Sequence, residues 1–345
     1  MTSRPSSQGQ GAKGRALCSL QPHRPFHVVG LGEISLDTSC ALSGLAAGEA
    51  GVRSLPIGEK RPLEALRELP GGQIATALLG CARLGLRVGY IGCVGDDRAA
   101  EAALEPLREA GVDLSGVREV AGASSRRAVV LVDAASGERS ILSHRDPRLA
   151  LEPRDLDAAS ITRARLLHLD AVDLDASVWA AELARREGIP VVLDADTPQE
   201  GLARLLEVVD FPVVDRRLAE ELGGTGSTAD GLRALGSYGA RLAVATVGEE
   251  GALAWDGEQL IRSPGFRVTV HDATGAGDAF HAGFLWGLVA ELPARELLRC
   301  ANAVAALNCQ AAGAQGGLPV RAALERFLSA HPAEDDDRSI RESGS

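Results

Sequence analysis

Short apolar runs alternate with helical patterns along most of the chain, and this alternation restricts the fold more than any other feature. Residues 27–31, 87–94, 166–169, 191–193, 211–214 and 242–247 read as short strands, most of them buried. Between them, Ile74, Ala77, Leu78, Cys81 and Leu84 recur at helical spacing. Residues 99–110 read as a helix stopped by Gly111, and 177–187 and 198–206 as further helices. Alternating β and α units imply a parallel sheet covered on both faces. The expected fold class is therefore α/β, a doubly wound parallel sheet with helices on both faces. Residues 38–69 and 117–142 break the alternation with turn residues and β-like runs such as 128–132. They are expected to form a small antiparallel β-lid, because long structureless loops are uncommon in compact domains. Residues 1–25 read as a disordered lead-in, 26–330 as the folded domain and 331–345 as an acidic tail.

Composition narrows the function. A net charge of −11 argues against a nucleic-acid partner, since phosphate binding needs a basic surface. Aromatics are 3% of the chain, so platforms for stacking bases are scarce. The six cysteines form no C-x-x-C pair, and no His/Cys group has zinc spacing. Cys81, Cys300 and Cys309 fall in apolar helical patterns, as reduced core thiols do. No stretch approaches the roughly 20 apolar residues of a membrane span, and the first 25 residues lack a signal-peptide core. The cytoplasm is the expected location, with no membrane partner.

The strongest chemical signal is the segment His271-Asp272-Ala273-Thr274-Gly275-Ala276-Gly277-Asp278. It follows a strand-like stretch, 266–270, and opens a helix marked by Phe280, Phe284, Leu285 and Leu288. Small residues at Gly275, Ala276 and Gly277 let a ligand approach the backbone. Amides at a helix start then favour an anion such as phosphate. A carboxylate at Asp278 is unfavourable for phosphate binding alone, but it suits a general base facing an attacking hydroxyl. A plain Gly-rich helix cap is the competing reading. A P-loop is excluded by the missing Lys, and Gly30-Leu31-Gly32 lacks the third glycine of a dinucleotide fingerprint because position 35 is Ser35.

The segment from Asp272 to Asp278 resembles the D-T-x-G-A-G-D signature of the ribokinase-like (PfkB) carbohydrate kinases. Gly71-Gly72-Gln73-Ile74-Ala75-Thr76-Ala77, continuing to Gly95-Asp96-Asp97, is similar to the family's second signature. Thr246-Val247-Gly248-Glu249-Glu250-Gly251 resembles its nucleotide segment. The resemblance implies ATP-dependent phosphorylation of a sugar or sugar-derivative hydroxyl, with Mg²⁺ and in many members a monovalent cation such as K⁺. Asp278 would be the base, and the amides of Gly275, Ala276, Gly277 and Asp278 the anion hole. Asp37, Gly72, Gln73 and Thr76 match substrate positions. Thr246, Gly248, Gly251 and Asn302 match the ATP site. Asp272 and Thr274 match cation ligands, and Asp215 part of the Mg²⁺ region. A homodimer through the lid is a further implication.

The sequence also departs from the family pattern. Thr76 stands where the family usually has Asn, and Leu218 replaces the glutamate of its N-x-x-E motif. Asp194 and Asp196, at the end of a strand, are candidates to add charge near the metal. The altered loop and metal motif look most like a branch that includes sulfofructose kinases. Arg126 and Arg127 on the lid are candidates to meet an anionic group, and His144-Arg145-Asp146-Pro147 is either a substrate loop or a solvated turn. His168 reads as a satisfied core histidine, and Glu33 and Asp170 as strand-end caps. Two rival functions stay open: a nucleoside kinase of the same superfold, and a non-catalytic sugar- or nucleotide-binding regulator.

Overall fold

The computed structural model describes residues 17–42, 46–47, 53–54, 58, 60, 62–133 and 139–332. The first part of the chain forms β1 (Phe26–Leu31), β2 (Ser35–Leu42), β3 (Ala46–Ala47), β4 (Arg53–Ser54), β5 (Ala65–Gly71), α1 (Gln73–Arg83), β6 (Val88–Gly95), α2 (Arg98–Glu109) and β7 (Asp113–Val120). Then come β8 (Arg127–Asp133), β9 (Arg139–His144), α3 (Ala158–Thr162), β10 (Ala164–Asp170), α4 (Leu174–Arg186), β11 (Val191–Ala195), α5 (Leu202–Leu206) and β12 (Phe211–Asp215). The last part holds α6 (Arg216–Gly223), α7 (Thr228–Ser237), β13 (Ala243–Thr246), β14 (Ala252–Trp255), β15 (Leu260–Ser263), α8 (Ala276–Val289), α9 (Ala294–Asn308) and α10 (Arg321–Ala330).

Nine strands make one sheet in the order β15-β14-β13-β12-β11-β10-β1-β6-β7. All pairings are parallel except the final β13–β14–β15 meander. The chain steps from β1 to β6 and β7 on one side, then returns to β10 on the other. The order therefore reverses between β1 and β10, the place where open α/β sheets gather ligands at the carboxyl ends of their strands.

Side chains alternate between two cores, as a pleated strand requires. Val28, Leu166 and Val192 join the core beneath α1, α2, α8 and α9, while Val29, Leu167 and Val191 join the core beneath α4, α5 and α7. Helix α8 is apolar on all sides because it packs between α1 and α9. This is the doubly wound architecture expected from the alternation.

A second sheet, β5-β2-β8-β9, is built from the segments that follow β1 and β7. Its β2–β5 and β8–β9 pairs are antiparallel, but β2 and β8 run parallel because the two insertions leave the same end of the main sheet. Residues 117–120, expected in the lid, instead complete β7 against β6. The stretch 266–270, expected as a strand, forms none: β15 stops at Ser263, and Pro264 has no N–H to continue a ladder. The lead-in expected over 1–25 is also shorter. Cys18 and Leu20 are buried in the core, and the Arg24 guanidinium donates to the Thr162 and Glu187 carbonyls. Residues 1–16 and the acidic run 334–337 lie outside the described residues.

Candidate active site

The carboxyl ends of β1, β10, β11, β12 and β13 present Glu33, Asp170, Asp194, Asp215 and Thr246 along one edge of the sheet. The small sheet covers that edge, and the start of α8 approaches it from one side. Asp37, Ser39 and Val130 lie on one face of the small sheet, and with Leu69 and Pro70 they line a narrow cleft whose opposite wall is Asp272, Thr274, Gly313 and Ala314. The fold thus brings the carboxylate from the first insertion against the Gly-rich segment more than 200 residues later in the chain.

One carboxylate oxygen of Asp37, Oδ1, is buried without a hydrogen-bond partner among the described residues. Burial raises its pKa above the ordinary carboxylate value, against the pull of Arg126. Beside it, Glu33 pairs with Arg126 at 2.6 Å, and burial still lifts the Glu33 pKa. Asp170 accepts from the backbone N–H of Glu33 (2.6 Å) and Val172 (3.1 Å), so its carboxylate caps the turns after β1 and β10. Arg127 reaches Glu68, and Arg145 grips Asp173 with two bonds of 2.8 and 2.6 Å. Asp146 caps the short 147–149 turn through Arg148 N, so the 144–147 segment is a structural turn.

Gly275 precedes α8 at φ 73°, and a Cβ there would fall 2.5 Å from Ala314 Cα. Only glycine combines that conformation with that contact. Asp272 holds the surrounding loops together: its Oδ1 accepts from Thr274 N and its Oδ2 from Gly313 N, both at 2.8 Å. The candidate cation ligand is therefore also the fastener between the two walls. Asp278 lies in the first turn of α8, partly exposed. Of the four amides expected in the anion hole, that of Ala276 closes a turn onto Ala273 O (3.2 Å), so it is engaged within the loop in this conformation.

Two expected ligand contacts take other roles. Thr76 is fully buried, and its Oγ1 accepts from Gln315 Nε2 at 3.2 Å, tying α1 to the 311–317 loop. Replacing Thr76 with Val leaves that amide unsatisfied and is expected to cost about 1–3 kcal/mol of stability with little change in sugar KM; thermal denaturation and steady-state kinetics check both. Asn302 is 5% exposed, and its amide donates to Ser263 O, Ser263 Oγ and Pro264 O at 3.0–3.2 Å. It shapes the loop after β15 through its amide nitrogen.

The other candidates stand at loop edges. Gly72 caps α1 hard against the Glu33–Ile34 backbone, and Gln73 Nε2 lies 3.5 Å from Asp196 Oδ2. Thr246 Oγ1 is 3.4 Å from Val214 O. The turn after it is closed by Gly251, whose φ is 97° and whose Cβ would meet Ser263 O at 2.2 Å, while Gly248 at φ 63° faces open space. Asp215 caps α6 through Leu218 N at 2.8 Å, and burial raises its pKa, with Asp196 adding to the rise.

A model of the pfkB family of carbohydrate kinases matches residues 53–321. The chain belongs to this family. It is a carbohydrate kinase. The kinase is 30% identical to "Probable fructokinase-6, chloroplastic" of Arabidopsis thaliana, over 94% of this chain and 88% of the relative. It is also 30% identical to an ATP-dependent ribose-1-phosphate kinase of Halopiger xanaduensis, over 88% of this chain and 98% of that one. A crystal structure of fructokinase with bound ATP from Xylella fastidiosa superposes with a TM-score of 0.74 at 22% identity, covering 88% of this kinase and 98% of that chain.

The sequence reading missed the residues that set the second wall of the kinase's cleft. Asn308 is fully buried: Nδ2 donates to Ala314 O (2.9 Å), and Oδ1 accepts from Gly317 N (3.1 Å). It shapes the loop carrying Gly313 and Ala314. A polar Asn in the middle of an apolar helical pattern was the available signal. His168 was expected to be a satisfied core histidine. It is buried, but Nδ1 alone has a partner, Val192 O at 3.3 Å, and Nε2 has none among the described residues.

Proposed function

We propose that the kinase transfers the γ-phosphoryl group of ATP to a hydroxyl of a neutral sugar, with Asp278 as general base. The observation that carries this reading is the cleft itself, in which the unpartnered Asp37 Oδ1 stands across from the loop that opens α8. A buried carboxylate oxygen without a donor among the described residues is costly and suits a polyhydroxylated ligand that supplies O–H donors. Two further features favour a neutral sugar. The lid cations near the site are already matched, Arg126 by Glu33 and Arg145 by Asp173, which leaves little positive charge for an anionic substrate. Among the described residues, the cleft is lined by no aromatic ring that would stack a base.

Chemically, the sugar hydroxyl gives its proton to the Asp278 carboxylate as its oxygen bonds to the γ-phosphorus, and the bond to the bridging oxygen breaks to release ADP. The amides of Gly275, Gly277 and Asp278 are placed to stabilise charge on the transferring group, and the dipole of α8 adds to that. Closure by the small sheet excludes water that would otherwise accept the phosphoryl group. Asp215 and Asp196 lie in the carboxylate-rich region where Mg²⁺ would be held, and Leu218 contributes a backbone amide to Asp215 in place of a side-chain oxygen. Mg²⁺ held there would supply positive charge to offset that of the phosphates. Asp272 and Thr274 remain the proposed ligands for a monovalent cation, which assays in K⁺ and in choline salts would separate from a purely structural role.

Measuring ADP release with neutral sugars, sugar acids, sugar phosphates and nucleosides tests this reading. It predicts the highest kcat/KM for a neutral sugar. A clear preference for an anionic sugar or a nucleoside refutes the substrate class, and tight sugar binding without turnover favours a regulator.

The ATP side carries its own prediction. Gly248→Val places a branched residue at φ 63°, where an L-residue pays about 1–2 kcal/mol. The loop is expected to shift, raising KM for ATP roughly tenfold with much less effect on sugar KM; unchanged ATP kinetics count against this site. On the outer face of the small sheet, Leu66, Val129 and Leu142 are exposed by 63%, 39% and 61%. A second copy packed on that face would cover them, and sedentary monomer mass in light scattering would rule the dimer out.

A further inference from the structure

We propose that His168, Asp194 and His281 form a buried binding site for a divalent transition-metal ion, of which zinc is the best fit. The three side chains come from β10, β11 and α8. Their ligand atoms all lie within 4.8 Å of one another. The strand alternation makes this meeting possible. His168 follows Leu166 by two residues and Asp194 follows Val192 by two, so both face the core beneath α8. His281 enters that core from α8, one helical turn beyond Asp278.

The donor set has the character of a metal site. Two imidazoles and one carboxylate are ligands that zinc and its neighbours accept. His168 and His281 are 0% and 3% exposed, and Asp194 is 7% exposed. His168 Nδ1 faces Val192 O at 3.3 Å, the backbone contact that fixes a ligating histidine's tautomer and leaves its other nitrogen as a lone-pair donor. That other nitrogen, Nε2, has no partner among the described residues, and neither has His281 Nδ1. His281 Nε2 reaches Asp194 Oδ1 at 3.3 Å, and the two rings stack with centroids 5.0 Å apart. Buried polar atoms are rarely left unsatisfied, and a cation would satisfy the two free lone pairs and the carboxylate together. The ion would clamp the first turns of α8 to the carboxyl ends of β10 and β11. It adjoins the Mg²⁺ region through Asp194, two residues from Asp196, but it does not depend on the substrate assigned above.

The test is direct metal analysis of the whole protein. After purification without chelators and gel filtration, the wild type is expected to retain stoichiometric zinc. After chelation it is expected to take up Co²⁺ with the visible absorption of a low-symmetry nitrogen and oxygen site. Zinc is expected to raise the Tm of the chelated protein by about 3 °C or more at saturating concentration. His168→Gln and Asp194→Asn should each abolish the Co²⁺ spectrum and the zinc-dependent Tm shift. No stoichiometric zinc and no Co²⁺ spectrum in the wild type overturns the proposal, as does binding that survives both substitutions. If either variant fails to fold, anomalous diffraction at the zinc edge on wild-type crystals decides instead: a peak among the three side chains supports the site, and a peak elsewhere or none refutes it.

Discussion

Asp278→Asn is expected to lower kcat by about 10²–10⁴ while ATP affinity and Tm stay close to wild type. The residue sits in the first turn of α8, next to the amides of the Gly-rich loop, and α8 is packed on every side so that its start is held in place. Asparagine keeps the size of the side chain and its compatibility with a helix start, but it cannot take a proton from an attacking hydroxyl. The loss should therefore appear in kcat and kcat/KM together, not in KM, as expected for an interaction made only in the transition state. Rapid-quench or coupled ADP assays, paired with ATP titration by calorimetry, measure the two quantities. Near-normal turnover would remove Asp278 from the mechanism.

Asp37→Ala is expected to weaken sugar binding by roughly 10²-fold or more with ATP binding nearly unchanged. A carboxylate accepting two sugar hydroxyls makes charge-assisted hydrogen bonds worth about 1.5–3 kcal/mol each. Its sign on stability is opposite to that of a structural residue. Burial raises the Asp37 pKa, so the fold disfavours its ionised form at neutral pH, and this penalty fades as pH falls through the folded-state pKa. Removing the carboxylate should leave Tm unchanged or raise it. Loss of Tm with intact sugar affinity would mean that Asp37 serves the small sheet instead of the substrate.

Much of the architecture was legible because it depends on local pattern. The apolar runs of β1, β6, β10, β11, β12 and β13 and the helical spacing of α1 and α2 can be read one segment at a time. The Asp272–Asp278 segment could likewise be read as a loop that opens a helix, since glycine and a first-turn carboxylate carry their geometry with them. Reading failed where a distant partner sets the structure. Residues 266–270 alternate like a strand but have no neighbour to pair with after Pro264. Thr76 and Asn302 match ligand contacts in a motif, and the structure adds what the motif does not show, that Thr76 Oγ1 accepts from Gln315 and the Asn302 amide nitrogen donates to Ser263.

By itself, the sequence determined the α/β class, the parallel sheet and the loop-to-helix form of the Gly-rich segment, because period, turn residues and charge act within a few residues. Only the tertiary structure decided which side chains meet. It placed Asp37 opposite Asp272 and Thr274, turned Arg126 onto Glu33, and gathered His168, Asp194 and His281 from two strands and a helix. The reason is physical. Contacts between residues far apart in the chain follow from strand order, register and helix packing, which are properties of the whole buried core and are not carried by any one segment.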